Sequence, residues 1–311
     1  VTNVHAVVSR PGPTESAILA ELAAGAPPFT VHRRAALTST LRYLEGGSGP
    51  PVVLLHGRGN AATTWFPLLP GLARRHRVLA LDLPGFGHAS SPPFEGKGFE
   101  DGLRFFVEPV EALLLEMDLG DAALVGHSLG ALVALEIALR KRARPRKLAL
   151  IGAMGVGPVM TASSRAYFRA PPERLLRLLG AALFRRLRPP RPTPLGERVA
   201  ALHRELGAVP DGRVAPVAAF NALFPAFGPV PHRLPRLGEI DADTLVLWGD
   251  RDDVFPAPLG IAAAAAIPRA TLRVVPLGHA PHLEDPDSVL PELTAFLSPP
   301  TDALLSPLTD R

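Results

Sequence analysis

Apolar residues along the chain gather into short β-branched or leucine-rich runs, separated by longer stretches whose apolar positions recur at helical spacing. The runs at 52–55, 78–81, 123–125, 148–151, 244–248 and 272–275 have the length and composition of strands buried in a parallel sheet. Residues 29–32 and 41–44 read as an antiparallel pair at one edge of that sheet. Between the runs, 65–75, 105–117, 129–139, 258–266 and 288–297 have helix length and composition. Strands alternating with helices predict an α/β fold built on a mainly parallel sheet. Residues 1–28 fall outside the rhythm and predict an N-terminal extension of low order, and residues 299–311 a C-terminal tail.

The rhythm also fails between 154 and 240. Pro171, Pro172, Pro189, Pro190, Pro192, Pro194, Pro210 and Pro225 cut this interval into short helical pieces such as 173–187 and 197–206. The expected organisation is a core formed by 29–153 and 241–298, with 154–240 inserted as a helical lid. Open parallel sheets bind ligands beyond the carboxyl ends of their strands, so an insertion at that edge is placed to cover a site. Leu175, Leu176, Leu178, Leu179, Leu183, Phe184, Phe220, Leu223, Phe224 and Phe227 are too many apolar residues for a solvated connector to expose. They predict a mobile lid with an apolar inner face and the prolines as its hinges.

Composition narrows this picture. With 47% apolar residues over 311 positions the chain has ample material for a buried core. No apolar run reaches the roughly 18 residues of a membrane span. The patch at 17–24 is broken by Glu21 and has no basic region before it, so neither a transmembrane segment nor a secretory signal is expected and the default location is cytoplasmic. The chain has no cysteine, which excludes disulfides, a thiolate nucleophile and cysteine metal sites. Residues 163–204 hold ten arginines against two glutamates. Nucleic-acid binding would add a recognised module or aromatics interleaved with the basic residues, and neither is present, so no nucleic-acid partner is expected. The arginines read as solvated helix faces, with a membrane surface or an anionic substrate as the alternatives.

The chemistry centres on LVGHSLGAL at 124–132. Gly126 and Gly130 flank Ser128 in a G-x-S-x-G pattern set between a strand and a helix. There a strained turn lifts the hydroxyl above the sheet and the helix N-terminus offers backbone N–H groups. The alternative is an ordinary glycine-rich turn. A neutral serine needs a base, and the base needs an orienting acid. Asp250, Asp252 and Asp253 follow the run at 244–248, and His279 and His282 follow the run at 272–275. The oxyanion formed at a carbonyl needs two fixed donors, and the N–H of Leu129, directly after the serine, is suited to be one.

LLHGRGN (54–60), DLPGFGHAS (82–90), VGHSLG (125–130) and the pair WGDRDDVFP and GHAPHLEDP together resemble the α/β-hydrolase superfamily over residues 36–298, in its lid-bearing branch of esterases, lipases and carbon–carbon bond hydrolases. The resemblance implies a mostly parallel central sheet with helices on both faces and an inserted helical lid. It makes Ser128 the nucleophile, His279 the general base and Asp252, the fourth residue after Trp248, the acid. Asp250 and Asp253 are then solvent-facing or loop-bracing, and His282 stabilises its loop. The second oxyanion donor falls to the N–H of Arg58. His56 is expected as a buried brace, His127 as a packing residue, 83–87 as a turn forming the site floor and His88 as an exposed neighbour. The implied activity is hydrolysis of a carboxylic ester or related acyl bond of an apolar small molecule through an acyl-enzyme, with no cofactor and no metal. Carbon–carbon bond hydrolysis, thioester hydrolysis and perhydrolysis use the same triad. Serine at the elbow argues against haloalkane dehalogenase and epoxide hydrolase chemistry, whose relatives carry aspartate there. A non-catalytic receptor on the same fold and a membrane-associated interaction protein are the alternatives of another class.

Overall fold

Each apolar run of the sequence becomes a strand of one sheet in the structure, a computed structural model that describes residues 10–169, 193–207 and 214–298. The strands are β1 (Phe29–Ala36), β2 (Ser39–Gly46), β3 (Pro51–Leu55), β4 (Arg77–Leu81), β5 (Ala123–His127), β6 (Lys147–Ile151), β7 (Asp243–Gly249) and β8 (Ala270–Val275). Their spatial order is β1-β2-β4-β3-β5-β6-β7-β8. The β1–β2 and β2–β4 pairs are antiparallel and the remaining pairs are parallel. Apart from half-buried residues at their starts, β3 to β6 are buried, as continuous apolar runs require. The edge strands β1 and β8 are largely exposed or half-buried.

Helices cover both faces. On one lie α3 (Phe99–Glu116), α4 (Leu129–Arg140), α7 (Val214–Ala222) and α8 (Pro258–Ala266), which enclose a core running through Val53, Leu55, Leu124, Leu150 and Trp248. The other face carries α1 (Pro13–Ala24), a 3₁₀ turn (Ala62–Trp65), α2 (Leu69–Leu72) and α10 (Pro286–Leu297), around Val52, Leu54, Val125 and Ile151. The single helix expected over 65–75 is instead this 3₁₀ turn and the four-residue α2. Pro67 and Pro70 lack the N–H groups that a continuous helix would use.

The expected low order of 1–28 is corrected for the described part of that segment. Helix α1 packs Ile18 and Leu22 into the core and buries Glu15. The Glu15 carboxylate accepts from Arg42 Nη1 at 2.9 Å and Thr63 Oγ1 at 3.0 Å, and lies 2.7 Å from His88 Nε2. His88 is therefore buried rather than exposed. Its backbone N–H donates to Asp82 Oδ2 at 2.7 Å, and Asp82 Oδ1 accepts the Ala62 N–H at 2.6 Å. The DLPGFGH motif thus closes around a buried charge network that α1 completes.

Burial by itself raises the Glu15 pKa, but His88 and Arg42 outweigh it and hold the carboxyl at about 2, against an ordinary value of 4.5. A depressed carboxylate adds stability above its unfolded pKa and loses it as pH falls toward the folded value. Wild-type melting temperature is accordingly expected to fall between about pH 5 and 2. Glu15→Gln takes the carboxylate from His88 and leaves Arg42 with Asp82 as its remaining carboxylate partner, lowers stability at pH 7 by about 3 kcal/mol and flattens that acid slope. Thermal melts followed by circular dichroism across pH check this, and an unchanged slope would contradict it.

Within the insertion, the described residues form α5 (Ala162–Arg169), α6 (Pro194–Gly207), α7 and a 3₁₀ helix (Leu234–Glu239). The start of α5 is tied to the loop after β7, where Thr161 Oγ1 and Ser164 Oγ both donate to the Asp253 carbonyl, at 2.6 and 3.1 Å. Helix α6 caps α1, with Glu205 accepting the Thr14 and Glu15 N–H groups at 2.7 and 3.0 Å. Helix α7 lies directly on α3: a Cβ at Gly102 would sit 2.4 Å from the Ala219 carbonyl oxygen. After the 214–222 helix, Arg233 bridges Glu136 and Glu100, each at 2.8 Å. Phe220, Leu223 and Phe224 are buried, whereas Phe227 is 90% exposed. Leu175, Leu176, Leu178, Leu179, Leu183 and Phe184, with the prolines of 171–192 and Pro210, lie outside the described residues, as does the 299–311 tail. Among the described residues no helix is long and apolar enough to cross a membrane.

Candidate active site

The site lies where the parallel strands end. The loop after β3 carries His56 to Arg58, the turn after β5 carries Ser128, and the loops after β7 and β8 carry Asp252 and His279, all at the carboxyl edge of the sheet. Ser128 adopts φ 52° and ψ −112°, a conformation that costs a residue with a side chain and persists only where its surroundings hold it. Its N–H donates to the Ile151 carbonyl at 3.0 Å, and its carbonyl accepts from Ala131, Leu132 and Met154. The flanking glycines are required by close approach. A Cβ at Gly126 would lie 2.4 Å from the Gly130 oxygen, and one at Gly130 would lie 2.1 Å from the Leu55 oxygen. The turn therefore presses strand, helix and β3 backbones together, with the Leu129 N–H in the first turn of α4.

The loop after β3 lies against the elbow. A Cβ at Gly57 would meet His127 Nδ1 at 2.8 Å and Ser128 Cβ at 3.4 Å, so the backbone of this loop passes close to the residue pair 127–128. His56 is the brace the sequence predicts. Its Nε2 accepts the Leu83 N–H at 3.0 Å, so Nδ1 carries the proton and donates to the Gly57 carbonyl at 2.7 Å. The Arg58 guanidinium lies 5.0 Å from the ring centres of both Phe168 and Phe220, where cation–π attraction joins this loop to α5 and α7. Phe168, Phe220 and Phe224 form an edge-to-face series. Gly85 in the 83–87 turn packs so closely on Pro216 of α7 that a Cβ there would sit 2.7 Å away.

Of the three carboxylates after β7, the structure brings only Asp252 to His279. Its side chain is 0% exposed, and its Oδ2 lies 2.8 Å from His279 Nδ1. Oδ1 accepts the Val254 and Phe255 N–H groups at 2.8 and 2.9 Å, so both oxygens are held. Asp250 and Asp253 are exposed. The His279 ring is steadied edge-on by Phe255, with centroids 5.6 Å apart.

Glu284 is a residue that motif reading left without a role. It accepts the Gly278 N–H at 2.6 Å and the Ala280 N–H at 3.1 Å, bracing the backbone on either side of His279. The signal for it is the GHAPHLEDP stretch itself, in which Glu284 follows His279 by five residues. His282 is buried between Trp65 and His127, with ring centroids 4.5 Å from each. Burial, followed by the neighbouring His279, lowers its pKa to about 3, which keeps it neutral and makes it unfit as the base. His127 is likewise buried and held well below 6.5, first by burial and then by His282 and His279. Among the described residues no group of three or more His, Cys, Asp or Glu side chains is arranged to hold a metal ion.

A strained serine, a buried carboxylate–imidazole pair and a loop backbone abutting the serine can together carry nucleophilic attack on a carbonyl. Residues 52–292 match the sequence profile of the Alpha/beta hydrolase family. The chain is 29% identical over 242 residues to 2-hydroxymuconate semialdehyde hydrolase of Pseudomonas sp. strain CF600, covering 74% of this chain and 80% of that one. It is 30% identical over 222 residues to 2-hydroxy-6-oxo-2,4-heptadienoate hydrolase of Pseudomonas putida, covering 68% and 75%. Among solved structures, a bacterial membrane phospholipase A superposes with a TM-score of 0.72 at 25% identity over 94% of this chain and 93% of that one.

Proposed function

Because this chain belongs to the alpha/beta hydrolase family and is a hydrolase, we propose that it cleaves a carboxylic ester or related acyl bond of an apolar small molecule through a Ser128–His279–Asp252 triad. The observation that carries this reading is the Asp252–His279 pair, 2.8 Å apart, at the same sheet edge as the strained Ser128. With Nδ1 engaged by Asp252, His279 Nε2 takes the proton of Ser128 as Oγ attacks the carbonyl. The N–H groups of Arg58 and Leu129 receive the oxyanion. Collapse expels the alcohol, protonated by His279, and water activated by the same imidazole clears the acyl-enzyme. Every step uses side chains and amides of this chain.

A second reading is favoured by the names of the relatives. Neither 2-hydroxymuconate semialdehyde nor 2-hydroxy-6-oxo-2,4-heptadienoate contains an ester, so their hydrolysis breaks a carbon–carbon bond beside an activated carbonyl. A panel of p-nitrophenyl esters of increasing acyl length, with a coenzyme A thioester and a vinylogous diketone alongside, separates the readings by kcat/KM. The ester reading expects a longer apolar ester to rank first. The diketone ranking first would replace it with carbon–carbon cleavage.

In this scheme α5 and α7 roof the pocket, and the aromatic series of Phe168, Phe220 and Phe224 supplies the apolar wall for the acyl chain. Phe220→Ala is expected to lower kcat/KM on a long-chain ester about tenfold, the scale of about 1.4 kcal/mol of lost apolar contact, while changing the acetate ester little. Equal losses on both, or a substrate preference for small polar esters, would sink the apolar roof.

A further inference from the structure

We propose that His127, the residue before the nucleophile, is a positioning residue that fixes the backbone of the catalytic base, a role that rests on the triad reading above. Its Nε2 lies 3.0 Å from the carbonyl oxygen of His279. A carbonyl can only accept, so Nε2 carries the hydrogen and donates. His279 is then held at two ends, through its ring by Asp252 and through its backbone by His127. The Gly152 backbone faces that carbonyl at close range, since a Cβ there would lie 2.9 Å from it.

The rest of the His127 ring reaches the other working parts of the site. A Cβ on Gly57 would sit 2.8 Å from its Nδ1, so the ring edge abuts the loop that ends in the Arg58 N–H. Its centroid is 4.9 Å from the His279 ring and 4.5 Å from the His282 ring. Through its own backbone, His127 pairs with Ile151 at the end of β5 and leads directly into Ser128. Nucleophile, base and oxyanion loop therefore meet on one imidazole.

A filler would not be built this way. His127 Nδ1 is buried and has no hydrogen-bond partner among the described residues, a cost that any apolar side chain of similar size would avoid. The imidazole supplies what such a side chain lacks, a donor at the ε position. The neutral ring presents that donor in a single tautomer, so it adds no charge beside the base.

The test compares His127→Gln, which keeps an N–H donor at the ε position, with His127→Leu and His127→Asn, which do not. The first readout is the rate at which a fluorophosphonate probe labels Ser128, expressed per folded molecule. The second is the split between kcat and KM on a p-nitrophenyl ester that the wild type hydrolyses. Misplacing the base slows chemistry without weakening binding. The Leu and Asn variants are expected to lose about 10- to 100-fold in labelling rate and in kcat with KM held, and Gln to recover to within about threefold of wild type. A purely structural His127 would lower melting temperature and leave labelling per folded molecule unchanged. Should the Leu variant fail to fold, Asn carries the same comparison. Wild-type labelling of Ser128 with Leu or Asn equally fast overturns the positioning role alone, as does Gln as slow as Leu. A wild type that is not labelled overturns the triad reading and this role with it.

Discussion

Ser128→Ala is expected to lower kcat by about 10⁵- to 10⁶-fold, because the members of such a unit do not act additively and the remaining groups cannot deliver a nucleophile. The loss is predicted to occur without unfolding. The backbone at 128 is held by its N–H to Ile151 and by three N–H groups that converge on its carbonyl, none of which needs the hydroxyl. Steady-state kinetics beside a thermal melt checks both halves. Residual activity within about a hundredfold of wild type would mean that another group attacks the substrate.

The second large effect discriminates among the acids. In Asp252→Asn, the amide oxygen can stay with the Val254 and Phe255 N–H groups, which turns the NH₂ toward His279 Nδ1. That arrangement favours the tautomer with its hydrogen on Nε2, which cannot accept a proton from serine, and the expected loss in kcat is about 10³- to 10⁴-fold. Asp250→Asn and Asp253→Asn, at exposed positions, are expected to stay within about threefold of wild type. Measuring kcat for the three variants decides the matter. A severe Asp250 or Asp253 variant beside a nearly silent Asp252 variant would reassign the acid.

The middle of the sheet was legible because strands buried on both faces, β3 to β6, must be written as continuous apolar runs, while the largely exposed edge strands β1 and β8 lie where shorter stretches have strand composition. The elbow was legible for a related reason: two glycines at fixed distance from Ser128 answer a backbone collision that any other residue would suffer. What stayed hidden depends on partners distant in sequence. Glu15 is one carboxylate in an ordinary helix until Arg42 and His88 close on it from 27 and 73 residues away, so neither the order of α1 nor the burial of His88 could be read locally. At 65–75 the leucine-rich composition favours a helix, and Pro67 and Pro70 override it. Phe227 counted as apolar in sequence yet points to solvent, since composition does not give the direction of a residue beyond a helix end. The partner of the His127 side chain, the His279 carbonyl, lies 152 residues along the chain, beyond the reach of local pattern.

The central claim, an acyl-transfer nucleophile at Ser128 activated by His279, is tested most directly by the site of covalent labelling. Cleavage after Arg104 and Arg140 yields a 105–140 peptide in which Ser128 is the sole hydroxyl-bearing residue, so an adduct mass on that peptide identifies the atom without ambiguity. The account predicts one fluorophosphonate adduct per wild-type chain, located on this peptide, and almost none after His279→Ala. An unlabelled wild type, an adduct on another peptide, or labelling that survives His279→Ala at the wild-type rate would contradict it.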